Sequence, residues 1–135
     1  MTTMPEMKLE VVPVPVSDID RARDFYANQV GFHLDHDTWP SESVRVVQLT
    51  PPGSGCSIVM GVGLGEISEM RPGSVKGLHL VVKSVAEVRE LLLGRGVAVG
   101  DIIDYPRGIR YAHFSDPDGN TWALQEFPAE LRGGV

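Results

Sequence analysis

The chain has 135 residues, of which 42% are apolar and 22% charged, so its composition is typical of a folded globular protein and excludes an intrinsically disordered one. This length suits one compact domain, or two small modules that share a core. Acidic residues outnumber basic ones by 18 to 12, and the net charge of −6 argues against a nucleic-acid partner, because phosphate binding requires clustered Lys and Arg.

The first half of the chain predicts a strand, a helix and three further strands. Residues 8–16 are rich in Val and predict the first strand, although Pro13 and Pro15 remove two backbone donors from it. Ser17 or Asp18 caps the helix that follows, whose apolar residues recur at helical spacing. The predicted ranges are 18–28 for this helix and 32–39, 44–50 and 56–62 for the three strands.

The second half predicts the same order of elements. Residues 63–75 hold charged residues, glycines and a proline without apolar periodicity, and they predict a linker. The tail, 128–135, is predicted to be loose. The predicted ranges between linker and tail are a strand at 77–83, a helix at 85–95, and strands at 97–103, 109–115 and 121–127.

The two halves are related by an internal repeat. The turns at 50–54 and 116–120 are of the same Pro/Gly kind and lie 66 residues apart. At the same offset, 14–18 aligns with 80–84, and each is a β-rich run that ends at a helix start. The simplest explanation is two copies of one βαβββ unit, which would leave a concave surface between them.

Targeting signals and cysteines limit the location and the chemistry. The apolar runs are only as long as strands, so we expect no membrane partner. The N-terminus lacks the basic start and apolar stretch of a secretory signal, which predicts a cytoplasmic location. The single cysteine, Cys56, cannot form an internal disulfide or build a zinc site alone.

Two motifs carry a resemblance to a known family. Residues 14–26 (VPVSDIDRARDFY), followed by Gly31 and Phe32, resemble the opening of the glyoxalase, bleomycin-resistance and extradiol-dioxygenase superfamily, also called vicinal oxygen chelate proteins. Residues 114–120 (FSDPDGN) resemble its closing signature. The resemblance covers nearly the whole chain. It implies a single α+β domain over 1–135, with module one at about 8–62, a linker at 63–75 and module two at about 76–127.

The same resemblance implies the architecture and the range of activities. The paired βαβββ modules are expected to form a curved eight-stranded mixed sheet, usually in a homodimer, with the pocket inside the curve. Members include lyases, epimerases, dioxygenases, thiol transferases and proteins that only sequester antibiotics, so the fold alone does not determine the function.

At the positions that bind metal in the family, this sequence has residues that are unsuitable as metal ligands. In metal-dependent members His, Gln or Glu on the first and last strands of the modules hold the metal. The matching positions are Val11, Ser57 (or Val59, if that strand slips by two), Gly77 and Ala123. Valine, glycine and alanine have no side-chain donor atom and serine is a poor ligand, so we expect no metal and no other cofactor.

Strand alternation predicts which side chains line the pocket. The family positions place Pro13, His79, Tyr111, His113 and Gln125 on the inner face, and the apolar Ala112, Phe114, Trp122 and Leu124 beneath the helices. The repeat offset also places Arg45, Val47 and Leu49 toward the pocket. The opposite face would then carry the polar Gln48, which is out of place there, so the polarity of this strand leaves its orientation open. Trp39 and Tyr105 lie beside prolines and could close over a flat ligand or pack against the sheet.

Histidines are the candidates for chemistry. His79 and His113 could act as general base or metal ligand, although a histidine on a sheet face more often satisfies a polar atom, and no catalytic residue is assigned. His33, Asp35 and Asp37 alternate along the second strand and predict either a metal site or, more commonly, a solvated polar edge. The candidate ligand-binding residues are Pro13, Trp39, Arg45, Val47, Leu49, His79, Tyr105, Tyr111, His113 and Gln125.

The leading hypothesis is a metal-independent binding protein similar to the antibiotic-sequestering members, with a hydrophobic or aromatic small molecule as its partner in a dimer pocket. The alternative is a glyoxalase-like lyase, epimerase or dioxygenase that uses a divergent metal site or acid–base chemistry of His79 or His113. A third hypothesis is a regulatory or scaffold module with a vestigial pocket.

Overall fold

A computed structural model describes residues 2–131. Its eight strands are β1 (Val11–Pro13), β2 (His33–Ser41), β3 (Val44–Thr50), β4 (Ser57–Val62), β5 (Leu78–Val81), β6 (Ile103–Tyr105), β7 (Ile109–Ser115) and β8 (Thr121–Glu126). The helices are α1 (Ile19–Asp24), α2 (Glu66–Glu69) and α3 (Val85–Gly94). Among residues 2–131 no helix combines the length and the hydropathy that crossing a bilayer requires.

The two long helices begin at the predicted caps. The Asp18 side chain accepts a hydrogen bond from the Arg21 backbone N–H at 3.0 Å, and Ser84 accepts one from the Glu87 N–H at 3.1 Å. These side chains satisfy backbone donors that have no partner within the first turn. After α1 the chain continues through a π-helical segment, Phe25–Val30, and Gly31 ends it with φ of +91°.

The strands form two four-stranded mixed sheets. The first sheet has the order β1-β4-β3-β2 and the second the order β5-β8-β7-β6. In each sheet the first pair (β1 with β4, β5 with β8) is parallel and the other pairs are antiparallel. The predicted α+β class and the paired βαβββ modules are therefore confirmed, with the eight strands divided between two sheets.

One aromatic cluster joins the two modules. Tyr26 and Phe32, from the end of the first helix, pack against Trp122 of β8, with ring centroids 5.7 Å and 5.5 Å from the Trp122 ring. The buried Tyr26 hydroxyl donates to Asp116 Oδ2 at 2.8 Å and accepts from Trp122 Nε1 at 2.9 Å. Burial, with the Asp116 charge, raises the pKa of Tyr26, so this hydroxyl stays protonated and bonded.

The second repeat turn holds the modules and the linker together. Asn120 is fully buried, and its Nδ2 donates to the Pro15 carbonyl at 2.8 Å and to Asp116 Oδ2 at 2.7 Å. Its Oδ1 accepts from the Val75 N–H at 3.1 Å. The Asp-Pro-Asp-Gly-Asn motif is thus a turn that also joins the segment after β1 to the linker and to the start of β8.

Four predicted segments differ from the structure. The first strand is only three residues long and ends at Pro13, and neither Pro13 nor Pro15 can donate a backbone hydrogen bond to extend it. The strand predicted at 97–103 is instead an irregular segment with one bridge, Val99 to Phe114, before β6. The predicted linker contains the short helix α2, and the predicted loose tail begins with a 3₁₀ turn at Ala129–Leu131. The rest of that tail, 132–135, lies outside the described residues.

Candidate ligand-binding site

The second sheet has one face covered by α3 and the core and one face that is open. Across β5, β8 and β7 the register aligns His79, Ala123 and His113 in one row. The next row aligns Val81, Gln125, Tyr111 and, on β6, Ile103. The alternate rows, which contain Trp122, Leu124 and Ala112, are buried in the core. We call the open surface of His79, Tyr105, Tyr111, His113 and Gln125 the aromatic face.

Four rings of the aromatic face form one cluster, in which three of them contact the fourth, Tyr111. Tyr111 lies at the centre, with its ring centroid 5.3 Å from Tyr105 and 5.9 Å from His79, both edge to face. The ring of His113 lies nearly parallel to that of Tyr111, with its centroid 6.2 Å away. Such offset and edge-to-face arrangements are favourable, and they present flat polarizable surface toward an incoming ligand.

Polar contacts orient two members of the aromatic face. Gln125 Nε2 donates to the Tyr111 hydroxyl at 2.6 Å. His79 Nδ1 lies 2.7 Å from the Gly77 carbonyl oxygen, and because a carbonyl can only accept, Nδ1 carries the proton. In the neutral imidazole the lone pair is therefore on Nε2, which can accept a hydrogen bond from a hydroxyl or N–H group of a ligand.

A surface cavity of about 520 Å³ lies over this face. It is lined by His79, Tyr105, Pro106, Ile109, Tyr111 and His113. Its volume falls within the range of small-molecule sites, and its lining combines aromatic surface with a few polar points. The structure thus brings together five of the predicted site residues, His79, Tyr105, Tyr111, His113 and Gln125.

The positions that would hold the metal in metal-dependent members lie on two different sheets. Val11 pairs with Ser57 on the open face of the first sheet, whereas Ala123 lies on the aromatic face between His79 and His113. Gly77 precedes β5. Within residues 2–131 no group of three or more His, Cys, Asp and Glu side chains is arranged to hold a metal ion.

A polar network covers the open face of the first sheet, and the sequence analysis found only its His33 and Asp35 members. Ser57 Oγ and Thr50 Oγ1 are 2.6 Å apart, the Thr50 hydroxyl donates to Asp35 Oδ2, and Asp35 Oδ1 lies 2.9 Å from His33 Nδ1. The hydrogen bond from Thr50, followed by that from His33, lowers the pKa of Asp35. The polar alternation of Gln48 and Thr50 in β3 was the available signal.

The prediction that Arg45, Val47 and Leu49 face the pocket is wrong. Val47 and Leu49 are fully buried and belong to the core beneath the first helix. The register pairs Gln48 with Val59, so Gln48 lies on the open face and its two neighbours point the other way. The repeat offset failed because a shift of one residue in a strand exchanges its faces.

Arg45, Asp37 and Trp39 also lie on the helix side of the first sheet. Arg45 binds Asp37 and Asp20, and its guanidinium lies 5.7 Å from the centroid of the Trp39 ring. A bulge between Leu34 and His36 shifts the alternation of side chains along β2. Asp37 therefore lies on the other face of the sheet from His33 and Asp35. Trp39 is exposed, but it does not join the aromatic face, and Pro13 lies on the open face of the first sheet.

Solved structures with the same architecture include an antibiotic binding protein. TnmS3, an antibiotic binding protein from Streptomyces sp. CB03234, is 37% identical with a TM-score of 0.80, and the match covers 93% of this chain and 100% of that one. A glyoxalase/bleomycin resistance protein from the same organism is 40% identical with a TM-score of 0.73, over 87% and 98% of the two chains.

A third similar structure comes from Sphaerobacter thermophilus DSM 20745 and is a member of the glyoxalase/bleomycin resistance protein/dioxygenase superfamily. It is 31% identical with a TM-score of 0.77, over 90% of this chain and 98% of that one. Among curated proteins none matches the chain. The family model matches residues 8–124, and with the fold and the two signature motifs it establishes that this chain belongs to the Glyoxalase/Bleomycin resistance protein/Dioxygenase superfamily.

Proposed function

We propose that this protein binds and sequesters a hydrophobic or aromatic small molecule of the antibiotic class, without a metal and without turnover. The observation that carries the proposal is the aromatic face, where Tyr111 contacts Tyr105, His79 and His113 beneath a cavity of about 520 Å³. Planar ligands gain contact area and favourable ring geometry on such a surface. The similarity to TnmS3 supports the same class of ligand.

The four metal positions support a role that does not depend on metal. Val11, Gly77 and Ala123 offer no side-chain donor atom, and the Ser57 hydroxyl is engaged with Thr50. The proposal also includes a homodimer, in which a second copy would close the open aromatic face, and a cytoplasmic location. Sedimentation of the purified protein tests the dimer directly.

Binding is tested by titration with daunorubicin, a planar aromatic antibiotic whose fluorescence changes when it stacks. Tyr111→Ala and His113→Ala should each weaken binding about tenfold, because they remove ring contacts at the centre of the face. Trp39→Ala is the matched control, since it removes an exposed aromatic side chain on the helix side of the other sheet. Equal losses for Trp39→Ala and Tyr111→Ala would contradict the assignment of the site.

Sequestration and catalysis are separated by the fate of the bound compound. Binding with quantitative recovery of unchanged compound, equal with and without a chelator, supports sequestration. Expression of the wild-type protein in a sensitive bacterial strain should then raise the inhibitory concentration, and Tyr111→Ala should not. Conversion to a product would contradict the proposal.

An enzyme is the second candidate, because His79 and His113 flank Tyr111 on one face and the hydrogen bond of His79 Nδ1 to the Gly77 carbonyl leaves Nε2 directed away from the backbone. This alternative predicts turnover that His79→Ala or His113→Ala abolishes. A divergent metal site predicts turnover that a chelator abolishes and added metal restores.

A further inference from the structure

A second cavity lies between the modules, apart from the aromatic face. It has a volume of about 370 Å³ and is bounded by α3 and β5 of module two and by two turns of module one. Its lining residues are predominantly apolar and include Phe32, Pro51, Leu80, Val88, Leu92 and Leu124. Phe32, Leu92 and Leu124 are buried, so the floor of the cavity is part of the core.

The mouth of this cavity exposes large apolar side chains. Leu91 of α3 is 54% exposed and Val88 of the same helix is partly exposed, and both line the cavity. When an apolar group fills a concave apolar surface that is open to water, the free energy of the system falls. The walls therefore fit a hydrocarbon segment.

One cationic side chain stands at the cavity. Arg95, just after α3, lines it, and its Nη1 would lie 3.0 Å from a Cβ at position 31, so Gly31 gives the guanidinium room to lie against module one. The Arg95 carbonyl accepts from Gln29 Nε2 at 3.1 Å, which holds the backbone of this residue to the first module. Over residues 2–131, no carboxylate forms an ion pair with the Arg95 guanidinium, in contrast to Arg23, Arg45, Arg89 and Arg110.

We propose that this inter-module cavity, lined by apolar side chains and Arg95, binds an amphipathic carboxylate with an unbranched apolar tail. The tail would occupy the space between α3 and the Pro51 turn, and the carboxylate would accept hydrogen bonds from the Arg95 guanidinium, whose planar fork matches a carboxylate. A volume of 370 Å³ accommodates about a dozen non-hydrogen atoms at roughly 30 Å³ each. The ligand class is therefore a medium-chain fatty acid.

This site is independent of the proposed antibiotic site. The aromatic face is the open face of the second sheet, whereas the inter-module cavity is on the side that α3 covers. A ligand of either site would leave the other accessible. Either proposal can therefore fail while the other stands.

Calorimetric titration of the wild-type protein with octanoate, and with 1-octanol as a neutral analogue, tests the inference. We expect octanoate to bind with a Kd below about 1 mM, which suits a ligand of about ten non-hydrogen atoms. Arg95→Gln should weaken octanoate about tenfold and leave 1-octanol unchanged, since only the carboxylate loses a charged partner. Arg71→Gln, which changes an exposed arginine of the linker outside the cavity, is the matched control and should leave both affinities unchanged.

A pair of substitutions on α3 tests the location. Leu91→Glu places a negative charge at the mouth and should weaken octanoate at least fivefold, whereas Leu93→Glu, exposed on the same helix but not in the cavity, should change it less than twofold. Both residues are exposed, so both variants should fold.

Three results would overturn the inference. One is equal affinity for octanoate in wild-type protein and Arg95→Gln. The second is loss of octanoate binding in Tyr111→Ala, which would assign the ligand to the aromatic face. The third is dissociation of a dimer by Leu91→Glu with no octanoate binding by wild-type protein, which would assign the surface to a second copy of the chain.

Discussion

Asp37 is the carboxylate at which the charged residues of the first module converge. It accepts from Arg45 Nε at 2.9 Å, from Arg45 Nη2 at 2.8 Å and from Arg23 Nη1 at 2.7 Å. The hydrogen bonds from Arg45, followed by that from Arg23, lower the pKa of Asp37 to about 2. Because the side chain is only 19% exposed, this network is less screened by solvent than an ordinary surface ion pair.

The lowered pKa of Asp37 predicts a pH-dependent contribution to stability. Its pKa in the folded chain lies below the ordinary value of 3.8, so the ionised form stabilises the fold above about pH 4, and this contribution is lost as the pH falls toward 2. Asp37→Asn should therefore lower the free energy of unfolding by about 1 to 2 kcal/mol at pH 7. Urea denaturation should show the difference from wild type narrowing between pH 4 and pH 2.

Asp101→Asn is the control for this prediction. The Asp101 side chain is fully exposed in its 3.4 Å contact with Arg89, and such surface pairs contribute little. A destabilisation by Asp37→Asn that stays constant from pH 7 to pH 2 would contradict the linkage.

At the scale of elements, a close backbone contact at Gly73 helps to anchor the linker. Gly73 is buried with φ of +79°, its N–H donates to the Pro15 carbonyl at 3.1 Å, and a Cβ at this position would overlap the Asp118 carbonyl oxygen. The linker therefore packs directly on the Asp-Pro-Asp-Gly-Asn turn, backbone against backbone.

Gly73→Ala should accordingly destabilise the protein far more than Gly53→Ala. Gly53 has nearly the same φ, +78°, but no atom lies within 4 Å of its Cβ position, so only backbone strain of about 1 kcal/mol is expected there. Gly73→Ala adds a steric overlap with backbone and should cost at least about 2 kcal/mol more. Comparable melting temperatures of the two variants would show that the linker can move away from the turn.

At the scale of the whole molecule, the modules share one hydrophobic core. Tyr26 and Phe32 of the first module contact Trp122 of the second, and the core cluster continues through residues of both. Neither module can lose this cluster without exposing apolar surface of the other. We expect the chain to unfold in a single cooperative transition.

Trp39→Phe tests this expectation, because it leaves Trp122 as the only tryptophan and a local probe of the shared core. The fluorescence of Trp122 in this variant should give the same denaturant midpoint as far-UV circular dichroism, which averages over both modules. Fluorescence and dichroism midpoints that differ clearly, or two separate transitions, would indicate modules that unfold independently.

The sequence by itself determined the duplicated βαβββ units, the helix caps and which residues of β7 and β8 share one face. These are local properties: capping depends on Asp18 and Ser84, and the alternation of Tyr111, His113 and Gln125 with buried neighbours follows from the two-residue period of a strand. The family resemblance supplied the register that places His79 of β5 on the same face as Tyr111, His113 and Gln125.

Only the tertiary structure decided which side chains of β3 point into the core and how the strands divide into two sheets. It also decided the polar network around Asp35 and the cavity beside Arg95. Alternation divides a strand into two faces, but which one is covered depends on a helix packed from elsewhere in the chain. The bulge in β2 then reverses the alternation at a position that no local pattern marks. Arg95 lies beside Gly31 because the shared core holds the two modules together. Such contacts join residues that are distant in sequence, so no local sequence pattern predicts them.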